Sequence, residues 1–355
     1  MGPGLLPRLE PPPRLVDFAI LVVVCFEVSS GIVSLTVGRP AGAWLFDLHA
    51  VAGFSLVVLL AWKFRRVRVR VTDRTLWDGG TPVSILLGTL AVAALVSGVG
   101  WAVTGPVRVA AWPLLMIHMG LGLLVVPVLL WHLRRRFRLP SKESASRRTA
   151  LQYTALLAGG ALAWRLQSVG SSALGLAGAD RRFTGSKADG SGAGNDFPVT
   201  SWVADDPDPI DPSDWTLTVT GRVERDLRLT DADLSPGDEQ RAVLDCTSGW
   251  YSDHDWQGVR VGDLLEKAGP TDDGRWVRFR SVTGYRWSLP IEEARHALLA
   301  THVDGDRLAH GHGFPLRLVA PGRRGFQWVK WVTSVEVTSQ QDLGQWLAIF
   351  VSGLD

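Results

Sequence analysis

Four apolar stretches, roughly Leu15 to Val37, Trp44 to Trp62, Pro82 to Val103 and Trp112 to Trp131, dominate the first part of this 355-residue chain. Each is long enough to cross a hydrocarbon core about 30 Å thick. Few charges interrupt them, and tryptophans stand near several ends, where an amphipathic ring favours the boundary between lipid and water. Buried helices of a soluble protein would be shorter and more polar on one side. The sequence therefore predicts four transmembrane helices within residues 1–139, with the lipid bilayer as their solvent.

Orientation follows from the basic loops. Lys63, Arg65, Arg66, Arg68 and Arg70 follow the second stretch, and Arg134, Arg135, Arg136 and Arg138 follow the fourth. Positive residues stay on the cytoplasmic side, so the N-terminus is expected there too. The first apolar run is too long for a cleavable signal peptide and lacks a small-residue cleavage pattern. A fifth, weaker span is expected at Thr149 to Trp164, within residues 140–167. The preceding Ser146-Arg147-Arg148-Thr149-Ala150-Leu151-Gln152 resembles an internal twin-arginine export signal, which implies the twin-arginine export machinery as a partner. Arg147 and Arg148 read equally as ordinary positive-inside residues. On either reading this span carries the chain outward.

Residues 168–195 are rich in Gly, Ser and Ala and read as a flexible linker. Residues 196–355 read as a globular domain. Short β-type runs at Leu217-Thr218-Val219, Trp276 to Phe279, Leu316 to Val319 and Val332 to Val337 alternate with turns and a short helix at Val261 to Lys267. That pattern predicts an α+β fold with mixed or antiparallel sheet. The tail from Leu343 to Leu354 has a helical apolar period, suited to packing on the domain or on the membrane surface. A net charge of +2, with arginines beside apolar runs instead of on a basic face, excludes nucleic acid as a partner. The two cysteines, Cys25 and Cys246, lie in segments of opposite character, so a disulfide framework is not expected.

Sliding the second apolar stretch onto the fourth by 69 residues aligns Leu48-His49 with Ile117-His118, Gly53 with Gly122, Trp62 with Trp131 and Arg65-Arg66 with Arg134-Arg135. The match looks like a duplicated helical hairpin, which sets His49 and His118 at one depth near the outer leaflet. A polar ring in lipid is costly unless paired. Two imidazoles from facing helices suit the two axial positions of a haem iron, and hydrogen bonding within the helices is the alternative. With these features the half resembles di-haem cytochromes b of the cytochrome b561 type. Those families place a second histidine pair toward the other leaflet. Here Lys63 stands opposite His132, so the resemblance implies one haem b, held by His49 and His118, with Lys63 and His132 at the interface near a quinone headgroup.

The segment Leu244-Asp245-Cys246-Thr247-Ser248-Gly249-Trp250, followed by Trp256-Gln257-Gly258-Val259, and a second block, His310-Gly311-His312-Gly313-Phe314-Pro315-Leu316-Arg317-Leu318-Val319 to Val329-Lys330-Trp331, resemble the sulfite oxidase superfamily over about Phe197 to Thr338. The resemblance implies a molybdenum–molybdopterin cofactor with Cys246 as thiolate ligand to the metal, a soft donor for a soft site. It also implies pterin contacts from His312, Arg317, Trp328, Val329, Lys330 and Ser281, and a catalytic tyrosine, Tyr285, facing the metal. The sequence Cys-Thr-Ser-Gly-Trp departs from the basic segment that follows the cysteine in sulfite oxidases. It is more similar to the monomeric periplasmic relatives, among them catalytic subunits of methionine sulfoxide reduction. Arg323 and Arg324 are candidates to bind an oxyanion substrate.

The expectation is a membrane-bound molybdenum oxidoreductase with its catalytic domain outside the cell membrane. It would transfer an oxygen atom to or from a small S-oxide, N-oxide or sulfur compound and exchange electrons with haem b and a quinone. The alternatives are an anchored molybdenum domain that uses a soluble carrier without haem, and a cofactor-free binding or sensor module.

Overall fold

The computed structural model describes residues 11–137, 146–202 and 204–354, and the chain divides into two compact units at Lys187/Ala188. The boundary expected at 139/140 lies outside the described residues.

In the first unit the apolar stretches form α1 (Pro13–Ser34), α2 (Ala43–Thr72), α3 (Thr81–Val103) and α4 (Leu114–Arg136). All four are long and apolar enough to cross a membrane. Helix α2 packs on α1 and α4 on α3. Large apolar residues such as Val96, Leu123, Leu124 and Leu130 are more than half exposed, which suits lipid better than water. Helix α2 continues well past the expected Trp62, through the basic run to Thr72. Between α3 and α4 a minimal hairpin pairs β1 (Arg108–Val109) with β2 (Trp112–Pro113). Helix α5 (Arg147–Ala173) lies against α2 and extends beyond the expected Trp164. Ser146 caps it by accepting from the Thr149 amide at 3.2 Å, which satisfies one orphan donor of the first turn.

The stretch expected as a flexible linker is ordered along much of its length. Within the first unit, Gly178 N donates to Val103 O, Arg181 to Ala102 O, and the Lys187 ammonium to Trp101 O at 3.0 Å and Gly105 O at 2.8 Å. These donors cap the open carbonyls at the end of α3. Within the second unit, Asp189 N donates to Tyr251 O, Gly192 N to Asp253 O and Gly194 N to Asp304 Oδ2. Gly194 sits at φ +57°, where a Cβ would strike the Asp306 carboxylate. The glycines thus supply turn geometry in place of looseness.

The second unit is α+β, as expected. One sheet has the order β11 (Asp306–Arg307), β10 (Leu298–Val303), β7 (Trp250–Arg260), β3 (Lys187–Ala188), with β12 (Arg317–Val319) on β10 and β6 (Asp238–Asp245) on β7. The other runs β5 (Leu227–Thr230), β4 (Thr216–Gly221), β13 (Val332–Thr338), β8 (Trp276–Ser281), β9 (Arg286–Pro290), with β13 parallel to β4 and the remaining pairs antiparallel. Helices α6 (Val261–Ala268) and α7 (Ile291–Arg295) pack together, and α8 (Gln345–Val351) lies against β9. Leu217, Val219, Leu264, Leu265, Phe279, Leu298, Leu318 and Val335 form one apolar core. At about 25 cal/mol per Å² of buried apolar surface, residues of this size contribute roughly 1.5–3 kcal/mol each, enough to make the sheets a rigid frame for the loops at their ends.

Candidate active site

Cys246 follows the last residue of β6, where the chain turns into β7. Its amide donates to Trp250 O at 2.9 Å and its carbonyl accepts from Gly249 N, so a closed backbone turn fixes the thiol. The side chain is 7% exposed, and its Sγ lies 3.1 Å from the Ser248 hydroxyl. A second clamp comes from Arg324. Its guanidinium reaches Cys246 O at 3.1 Å and Asp245 Oδ1 at 3.1 Å, with both ionic side chains almost fully buried. Removing one partner of such a pair costs about 3–5 kcal/mol, because the other charge is stranded out of water. Gly325 completes the fit: a Cβ there would come within 3.2 Å of the Cys246 Cα.

A narrow cleft opens over the cysteine, lined also by Phe197, Thr200, Trp250, His312, Arg317 and Lys330. Arg317 projects from β12, whose backbone register on β10 sets it opposite Ala300. It is 3% exposed, donates to His312 O at 2.9 Å and lies over the rings of Trp256 and Trp328, while its Nε is buried without a hydrogen-bond partner. Burial pulls its pKa down to about 10, against the opposing pull of Cys246. The Lys330 ammonium donates to Gly311 O at 2.7 Å, Thr200 O at 3.0 Å and Ser201 Oγ at 2.8 Å. Among the described residues neither cation forms an ion pair. His312 donates from Nε2 to Asn195 O at 2.9 Å, and Phe197 stacks on its ring at 3.7 Å between centroids. Behind Phe197, the fully buried His254 bonds to Asp304 at 2.6 Å.

Cys246, His312, Arg317 and Lys330, named from the sequence, therefore converge on one cleft. Trp328 and Val329 build its support: the Trp328 ring faces Arg317, and Val329 O accepts from Leu318 N. Ser281 is buried at the end of β8 beside Thr283, away from the lining. Tyr285 is 8% exposed and does not line the cleft; its hydroxyl donates to Phe326 O, next to the lining residue Gly325. Burial raises its pKa, so the phenol stays protonated and remains a donor. Tyr285→Phe is expected to cost about 1 kcal/mol of stability, the worth of one buried hydrogen bond, measured by denaturant titration. Arg323 and Arg324 are not available to an oxyanion. Arg323 chelates Glu293 through two 2.6 Å bonds, and Arg324 is committed to Asp245 and the Cys246 carbonyl. Neither the Phe197–Ser201 strap nor the clamping role of Arg324 was legible in the sequence, where a phenylalanine beside the Gly-rich stretch hints at the first and the second reads as an oxyanion contact.

The cleft is built to attract negative charge, and this predicts a pH dependence. Burial and the nearby Arg317 push Lys330 down to about 7, and burial, then Arg317, push His312 down to about 4. The folded protein thus binds fewer protons than the unfolded chain from about pH 4 to 6.5 at His312, and from about 7 to 10.5 at Lys330. Stability without an anionic ligand should therefore rise with pH across both windows. Denaturant titration of ligand-free protein at stepped pH reads this directly, and the upper slope should flatten once an anion pairs with Lys330.

In the first unit His49 and His118 meet with ring centroids 6.1 Å apart and planes at 87°. His118 Nδ1 bonds Ala94 O at 2.8 Å, and His49 Nδ1 bonds Ser30 Oγ at 2.9 Å. His49 Nε2 lies 3.1 Å from Glu27, a half-buried acid of α1. Lys63 is held by Asp17 at 2.8 Å, and His132 by Ser84 at 3.1 Å.

Comparison with known proteins bears on the second unit. Residues 204–346 match the family described as oxidoreductase molybdopterin binding domain. The chain is 34% identical over 155 residues to the uncharacterized oxidoreductase YuiH of Bacillus subtilis (strain 168), covering 42% of this chain and 78% of that protein. It is 32% identical over 154 residues to the protein-methionine-sulfoxide reductase catalytic subunit MsrP of Xanthomonas axonopodis pv. citri (strain 306), covering 38% of this chain and 48% of that relative. Of the MsrP relative, then, the chain spans about half the length. Among solved structures, the sulfane dehydrogenase SoxCD from Paracoccus pantotrophus aligns at 27% identity and a TM-score of 0.36, over 38% of this chain and 40% of that one.

Proposed function

Because the chain belongs to the oxidoreductase molybdopterin binding domain family, we propose that its cleft holds molybdenum–molybdopterin, with the Cys246 thiolate as the protein's ligand to the metal. The observation that carries this reading is Arg317: a buried guanidinium with no ion pair among the described residues is expensive unless an anionic ligand completes it. Arg317, Lys330 and His312 would hold the anionic and hydrogen-bonding edges of the pterin, with Trp328 and Val329 as support and Ser281 at one remove. When bound, the metal supplies oxygen-atom transfer. The chain's own part is to fix the thiolate through the β6–β7 turn, keep water from the rear of the cleft with Phe197 and Trp256, and concentrate positive charge at its mouth. Tyr285 fits a positioning role, holding Phe326 and with it the wall at Gly325. The substrate class that fits is a small sulfur compound, with reduction of an S-oxide or N-oxide preferred; the MsrP relative carries a sulfoxide substrate in its name.

For the first unit, the reading is a membrane anchor with the N-terminus cytoplasmic, α5 as a fifth, outward-leading span, and the catalytic unit exported by the twin-arginine route. The paired histidines support a haem b site that passes electrons between a quinone and the molybdenum centre. Both Nδ1 atoms are hydrogen-bonded to the protein, as second-shell orientation of a metal-binding imidazole requires. A second reading, an anchor without haem served by a soluble carrier, is favoured by the contact of His49 Nε2 with Glu27, which satisfies the ring inside the helices. Metal analysis, pterin fluorescence and a pyridine haemochrome spectrum of the purified full chain separate them. Equimolar molybdenum and haem are expected, with the haem signal lost in His118→Ala. Molybdenum without haem would establish the second reading, and absence of molybdenum and pterin would leave a binding module.

A further inference from the structure

Helix α8 is turned inside out. Its polar Gln345 is fully buried, accepting from Ser288 N at 2.8 Å, and Ala348 is also buried, whereas Trp346 (44%), Leu347 (64%) and Phe350 (57%) face outward. Leu343 (75%) and Leu354 (65%) extend the apolar face at either end, and Trp202 (39%) joins it by stacking edge-on to Phe350 at 5.7 Å. No charged residue lies between Asp342 and Asp355. The segment is held to its unit and does not hang loose: Trp346 packs on Trp287 at 4.9 Å, and Gly353 N donates to Thr283 O. The helix is apolar on nearly every side: Ala348 and Ile349 pack inward, and the remaining apolar side chains are left bare, an arrangement that requires an apolar neighbour.

We propose that this face is a lipid-docking surface, entering the boundary between headgroups and acyl chains of the bilayer in which the same chain is inserted. The proposal rests on the membrane reading of the first unit. Three observations select lipid. The chain carries four helices of membrane-spanning length and composition, so a bilayer is the apolar phase always within reach. The patch combines two indoles with aliphatic side chains and has no charge, the composition of an interfacial anchor. Its six residues present roughly 700 Å² of surface, more than the largest patch an ordinary monomer leaves bare, and the bilayer is the apolar phase already at hand to cover it. The docking has a functional sense as well. Trp202 directly follows Thr200 and Ser201, which hold Lys330 over the cleft, so lipid contact would turn that strap toward the membrane.

The test uses the full chain in phosphatidylcholine vesicles, in a Cys25→Ser background, with a nitroxide at Leu347→Cys or Phe350→Cys and a control at the exposed Arg228→Cys. The expected result is that collisions with oxygen exceed those with a nickel chelate at 347 and 350, with the order reversed at 228. Floated vesicles whose labels at 347 and 350 meet the chelate as freely as at 228 would overturn the proposal alone. Spin–spin broadening that disappears on dilution with unlabelled chain would overturn it in favour of a second copy as occupant. A chain that fails to float with the vesicles overturns the membrane reading, and this proposal with it.

Discussion

A Cys246→Ser protein is expected to fold normally and to lose oxidoreductase turnover by at least about two orders of magnitude, since even the outer partners of a metal ligand are worth 10–100-fold. The fold should survive because the cysteine backbone makes the turn: the bonds to Trp250 O and from Gly249 N are untouched by the change of one atom. The Arg324 clamp also grips the carbonyl and the Asp245 carboxylate, not the sulfur. What changes is the donor, from a soft, polarisable thiolate to a hydroxyl that is protonated at neutral pH. Turnover, molybdenum content and thermal unfolding measured on one preparation read the three consequences separately. A variant that retained full turnover with metal bound would remove Cys246 from the chemistry.

Arg317→Met should split stability from cofactor retention. In ligand-free protein the substitution replaces a buried cation without an ion pair by an apolar chain of similar reach, beside Trp256 and Trp328. Relief of such a charge is worth about 1–4 kcal/mol, partly offset by the lost bond to His312 O, so the ligand-free variant is expected to be as stable as the parent or more so. Molybdopterin retention should fall by about 30-fold to 150-fold, the loss of one or two charge-assisted hydrogen bonds worth roughly 2–3 kcal/mol. Denaturation of ligand-free protein and pterin content after gel filtration provide the two numbers. If both fell together, Arg317 would be a structural residue and not a ligand-binding one.

The chain announced some of this and concealed the rest for physical reasons. The four long helices were legible because length without charge is a simple pattern to read. Strands β4, β8, β12 and β13 were legible from β-branched and aromatic runs. The hairpin of β6 and β7 that carries Cys246 was not: the inward positions of β7 are Ser252, His254, Trp256 and Gly258, so burial alternates while hydrophobicity does not. Arg317 stood out because an arginine within Leu316-Arg317-Leu318 is anomalous in itself, while the site residues around it were named from the resemblance of their block to the sulfite oxidase superfamily. The strap at Phe197–Ser201 lay hidden, since its role comes from where the fold lays it, over His312 and Lys330. Glu27 escaped notice because its partner, His49, is distant in sequence. The linker misled most, since glycine content alone does not separate a loose segment from one bent into specific turns.

Strand β13 sits between β4 and β8, pairing parallel to a segment more than 100 residues earlier in the chain. The cleft inherits that order. Phe197 belongs to the start of the domain, Cys246 to its middle, and Lys330 lies two residues before β13. A nascent chain emerging from the ribosome cannot assemble this pocket piecemeal: closing the sheet depends on contacts of high sequence separation, which form late and slowly. If the cleft holds the cofactor as proposed, its full set of contacts exists only once the sheet that carries Lys330 has closed, so loading is expected to follow synthesis of the whole domain.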